Sequence, residues 1–68
     1  MNTISIKTEY IKLDQFLKWA DLVPTGTEAK ILINNGLVKV NGITETRRGK
    51  KLKKEDTIEV DGNIFIIK

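Results

Sequence analysis

Half of this chain's twelve cationic side chains fall within ten residues. Arg47, Arg48, Lys50, Lys51, Lys53 and Lys54 stand against one acid, Glu45, so residues 45–54 carry +5. The whole chain is only +3, which leaves −2 on the other 58 residues. A charge concentrated in this way suits a localised contact with a polyanion, whose phosphates Lys and Arg neutralise while releasing condensed counterions. Arg is the better-shaped donor, because its planar fork can hold one phosphate through two hydrogen bonds. Arg47 and Arg48 are the only two in the chain, and the four lysines would act around them as mobile point charges. The plain alternative is a solvated loop whose lysines keep a sheet edge from pairing with other chains.

Other chemistry has little to work with. There is no His and no Cys, so the usual bases and nucleophiles near neutral pH are missing, and Ser5 has no base beside it in sequence. Acids occur singly apart from Glu55-Asp56, with no calcium-loop spacing. No catalytic residue, metal ligand or cofactor site is therefore expected. With 68 residues, a single domain over 1–68 buries only about 60% of the surface its unfolded chain exposes. Without disulfides or zinc it must rest on apolar packing and backbone hydrogen bonds. Met1 to Lys7 lacks the apolar run of a secretory signal, and no segment approaches the roughly 20 apolar residues of a membrane span. A cytoplasmic protein, expected to be a monomer, fits these observations.

The elements that must position the basic segment are legible from periodicity. Residues 3–7 alternate, with Ile4 and Ile6 facing inward. Leu13, Phe16, Leu17 and Ala20 form one helical stripe, and Pro24 closes that helix by about residue 22. Thr25 and Glu28 have capping-box spacing. Ala29, Leu32 and Ile33 then give a second buried stripe, ended by Asn34-Asn35-Gly36. Ile31 points away from that stripe, so the helix is either sandwiched, which is preferred, or offers Ile31 to a partner. Residues 37–40 alternate into Asn41-Gly42, a hairpin turn, and Ile43-Thr44 begin the return strand. A basic loop follows, anchored by Leu52. Thr57–Val60, the turn Asp61-Gly62 and Asn63–Ile67 complete the order β-α-α-β-β-β-β. The expected class is α+β, two helices packed on a small, mostly antiparallel sheet.

From Lys12 to Val60 the chain resembles the αL RNA-binding domain of ribosomal protein S-four. The residues that carry the likeness are Lys12-Leu13-Asp14, Leu17, the stretch Thr25 to Ile33, Gly36-Leu37-Val38-Lys39-Val40-Asn41-Gly42 and Glu55-Asp56-Thr57-Ile58. The short length and Thr46-Arg47-Arg48-Gly49-Lys50-Lys51 resemble, more narrowly, the stand-alone YaaA-type members. Two positions depart from the pattern: Gly26 where it has Arg, and Glu55 where it has a turn Gly. The resemblance implies binding to structured RNA, often ribosomal, and it tips the reading of the basic loop toward phosphate contact.

Lys12, Lys30 and Lys39 lie at or beside motif positions and are secondary candidates, although exposed lysines are common on any element. Thr25 is first a helix cap, with a phosphate near that helix N-terminus as a second role. Asn41 is assigned to the turn before any base contact. Trp19 and Tyr10 are placed at the boundary of the core rather than on a stacking surface. The aromatics are too scattered for a stacking sheet, so RNA recognised by shape and phosphate is preferred. The expectation is a non-catalytic protein that contacts ribosomal RNA or a ribosomal subunit, in assembly or maturation. The alternative is a protein–protein module whose basic loop meets an acidic partner. Duplex DNA ranks below both, since neither helix is basic along a face.

Overall fold

The computed structural model describes residues 2–68; Met1, the first residue of the N-terminal segment, lies outside them. Alternation and helical stripes produce β1 (Asn2–Ile4), β2 (Tyr10–Lys12), α1 (Leu13–Trp19), α2 (Gly26–Asn34), β3 (Val38–Val40), β4 (Ile43–Thr44), β5 (Lys51–Lys53), β6 (Thr57–Val60) and β7 (Asn63–Ile67). The class is α+β as expected, with two short strands, β2 and β5, added to the expected order. Five strands form a sheet ordered β1-β7-β6-β3-β4, and β2 and β5 form a separate ribbon. Every pairing is antiparallel except β1 with β7. Both sheet edges are short strands, which limits the backbone available for pairing with another chain.

Each helix ends on a left-handed residue. Asp21 takes φ 60°, and the amides of Asp21 and Leu22 donate to the carbonyls of Lys18 and Leu17 at 3.0 Å. These two reverse bonds stop α1 several residues before Pro24, so the expected proline stop is not what ends it. Gly36, at φ 73°, closes α2 in the same way through Ile33 and Leu32. At the start of α2 the Glu28 amide donates to Thr25 Oγ1 at 3.2 Å, the hydroxyl half of the expected box. Asn41-Gly42 and Asp61-Gly62 all have positive φ, the geometry that matches the twist of a two-residue hairpin.

One sheet face and both helices bury the core. Leu13, Phe16 and Leu17 of α1 meet Ala29 and Ile33 of α2, with Val38, Ile58, Phe65 and Ile67 beneath them. The Phe16 and Phe65 rings meet edge to face, 5.9 Å apart at 79°, which sets the positive edge of one ring on the negative face of the other. Ile31 is 53% exposed, so α2 is covered on one side only and the preferred sandwich does not form. Glu55 has φ 78°, which explains why the family pattern places Gly there. Its amide donates to the Ile67 carbonyl at 2.7 Å, and its carboxylate is held by Lys68 Nζ at 3.1 Å.

Candidate nucleic-acid interface

The ribbon is what assembles the cations. Tyr10 lies opposite Lys53, Ile11 opposite Leu52 and Lys12 opposite Lys51. Strand alternation sends the Ile11–Leu52 pair to one face and the other four side chains to the opposite one. Leu52 is fully buried and Ile11 packs partly against the core. Tyr10, Lys12, Lys51 and Lys53 are exposed. The outer face thus presents three ammonium groups beside one phenol ring, and Lys51 Nζ stands 4.9 Å from that ring's centroid. An ammonium over an aromatic face is attracted by the ring quadrupole, which orders Lys51. Lys12 directly across from Lys51 is a like-charge pair, which works against folding. A polyanion laid along the face would relieve it.

The loop before β5 is tied down by its backbone. The Leu13 amide donates to the Lys50 carbonyl at 2.8 Å, and the Asp14 amide to the Arg48 carbonyl at 3.1 Å. Lys12 supplies no side-chain cap to α1, so the loop carbonyls satisfy amides that a helix start otherwise leaves to solvent. Arg48 and Lys50 are thereby fixed relative to Lys12, the residue next to that helix.

Arg47 is partly spent. Its Nε donates to Glu45 Oε2 at 3.0 Å and its Nη2 to Oε1 at 3.2 Å. Glu45 Oε2 also accepts the amides of Thr46 and Arg47. The Arg47 side-chain hydrogen bonds, helped by its backbone bond and charge and opposed by burial, lower the Glu45 carboxyl from 4.5 to about 2. Because the folded value lies below the unfolded one, the pair's contribution to stability is complete above about pH 4.5 and fades as pH falls toward 2. A carboxyl NMR titration is expected to show Glu45 still ionised at pH 3. A midpoint near 4.5 would mean the fork does not persist in solution. Glu45 is only 13% exposed while Arg47 is 73% exposed, so the remaining N–H donors of Arg47 stay accessible to phosphate.

The six loop cations do not converge on one point. Arg47, Lys50 and Lys51 line one shallow depression. Lys53 and Lys54 line another together with Lys7, Thr8 and Glu9. Lys12 joins the cluster across the ribbon, whereas Lys30 lies exposed on α2. Lys39 faces Glu59 on β6, on the sheet side turned away from the core. Thr25 is engaged as the α2 cap. Asn41 Oδ1 accepts from the Thr57 amide and hydroxyl, and its Nδ2 donates to Asp56, so its side chain holds β6 to the turn. A Cβ at Gly26 would meet nothing within 4 Å, so the Arg of the family pattern is missing for no steric reason. Sequence reasoning missed Lys7 and the pairing of Lys12 with Lys51. Tyr10-Ile11-Lys12 and Lys51-Leu52-Lys53 do alternate, but three residues are too short a signal to pair on their own. Trp19 is 67% exposed rather than packed at the boundary.

Comparison with known proteins agrees with this architecture. The chain is 46% identical over 61 residues to the probable ribosome maturation protein RlbA of Bacillus subtilis (strain 168), covering 90% of this chain and 86% of that protein. The solution structure of YbcJ from E. coli, described as having an αL motif involved in RNA binding, superposes with a TM-score of 0.74. It is 34% identical and covers 98% of this chain and 86% of that one. The 30S ribosomal protein S4e from Thermoplasma acidophilum matches with a TM-score of 0.64 at 29% identity, over 85% of this chain but only 31% of that longer protein. The S4 domain family model matches residues 4–68. With that match spanning nearly the whole chain, this chain belongs to the S4 domain family.

Proposed function

We propose that this protein is a non-catalytic RNA-binding factor that acts in ribosome assembly or maturation. The RNA phosphate backbone follows the exposed ribbon face and the adjoining loop. The observation that carries this reading is the cross-strand assembly of Lys12, Lys51 and Lys53 beside a loop that backbone hydrogen bonds lock onto α1. RlbA, by its name a probable ribosome maturation protein, and YbcJ, with its RNA-binding αL motif, support the same direction. Structured ribosomal RNA in the cytoplasm is the target, and the protein binds as a monomer.

The test is the salt dependence of binding to a ribosomal RNA fragment. With about five or six phosphate contacts, log affinity against log salt has a slope of roughly −3 to −5. Arg48→Glu flattens that slope by about one unit. Arg47→Glu has a smaller effect, because Glu45 already offsets its charge. An unchanged slope in the double variant R47E/R48E overturns the assignment of phosphate contacts to this surface.

A further inference from the structure

Trp19 is the most exposed aromatic residue of the chain, at 67%, and it stands where two shallow grooves meet. One is lined by Ile11, Gln15, Lys18 and Trp19 itself. The other is lined by the segment Ser5 to Thr8 together with Ile11 and Trp19. Ile11, common to both, lies between Tyr10 and Lys12 on β2, so the indole adjoins the strand that carries part of the cationic ribbon. The two linings contain Lys7 and Lys18 and no acid. Leaving an indole this open forgoes the burial that normally fixes a Trp in a small domain. Around it lie apolar surface, two cations and the side-chain amide of Gln15.

We infer that Trp19 and the grooves beside it hold one unpaired base of the bound RNA, stacked on the indole. The inference rests on the RNA-binding reading above and deepens it. A base offers a flat π face of the indole's own kind, and its flanking phosphates meet Lys7 and Lys18. The two cations disfavour a basic or apolar peptide, and the flat exposed indole beside them suits a base better than an acidic peptide that has no π face to stack. Lys7 also lines the depression that holds Lys53 and Lys54. The RNA recognised is therefore a stem with a bulge, loop or single-stranded flank. The ribbon and loop take phosphates, and Trp19 takes the base that leaves the helix. Gln15 can hydrogen-bond the edge of that base.

The chain has a single Trp, so its fluorescence reports on this position alone. The probes are a uridine dodecanucleotide and a blunt RNA duplex of the same length, titrated into wild type, Trp19→Ala and Trp19→Phe. Stacking quenches the wild-type emission with the single strand and leaves it nearly unchanged with the duplex. Base–aromatic stacking of the usual strength makes Trp19→Ala about tenfold weaker or more for the single strand. Trp19→Phe keeps most of the affinity, and duplex binding stays within about twofold in both variants. Since Trp19 is exposed, both variants should melt near wild type. Binding of both RNAs without quenching overturns the stacking inference and leaves the phosphate reading standing. Equal losses for strand and duplex in Trp19→Ala overturn it too. If neither RNA binds wild type, both readings fall, and if the emission responds only to a protein partner the groove is a protein site.

Discussion

Leu52→Ala is expected to remove about 2–5 kcal/mol of stability, the cost of emptying a fully buried leucine site in a core that relaxes only in part. Leu52 is 0% exposed and is the deepest anchor of the β2–β5 ribbon, with Ile11 across from it only partly buried. A domain of this length holds on the order of 3–10 kcal/mol in total, so the loss is a large share of what it has. Thermal melting should fall by roughly 10 °C or more. The same variant should lose RNA affinity at temperatures where it is still folded, because the ribbon that aligns Lys12, Lys51 and Lys53 loses its hold on the core. Leu52→Met, which nearly conserves volume, should cost less than about 1.5 kcal/mol and restore binding. A melting temperature unchanged in Leu52→Ala would mean that the ribbon is not packed as described.

Charge reversal across the ribbon is expected to move stability and RNA affinity in different patterns. Lys12→Glu alone converts a like-charge cross-strand pair into an opposite-charge one, which should stabilise the fold by about 0.2–1 kcal/mol. Lys51→Glu does the same but gives up the ammonium over the Tyr10 ring, so its gain should be smaller. Each should also weaken RNA binding on the order of tenfold, since one phosphate contact is lost and one repulsion gained. The double variant K12E/K51E returns to a like-charge pair, so its stability should fall back toward wild type. Its RNA affinity should drop by about a hundredfold, roughly the product of the two single effects. Denaturant melts and binding titrations on the four proteins of this cycle measure both quantities. If Lys12→Glu were no more stable than wild type, Lys12 and Lys51 would not face each other in solution. If the double variant bound RNA normally, the ribbon face would not be the contact surface.

Local chemistry determined much of this protein without help from the rest of the chain. Helical stripes placed Leu13, Phe16 and Leu17 in the core, Thr25 capped α2, and Gly36 ended it. Asn41-Gly42 and Asp61-Gly62 made their turns because positive φ is cheap there. Those signals are read within one element, where periods of two and 3.6 and turn chemistry suffice. Local signals failed at Pro24, since the αL conformation of Asp21 had already ended α1. They failed at Ile31 and Trp19, because exposure depends on which neighbours arrive. The concentration of cations was visible in composition, but its geometry was not. Only tertiary structure brought Lys12 across from Lys51, about forty residues away in sequence. Pairing between distant three-residue strands carries almost no local signal, since its stability comes from the shared burial of Ile11 and Leu52. The residue types were written in the chain; which charges stand side by side was settled by the core beneath them.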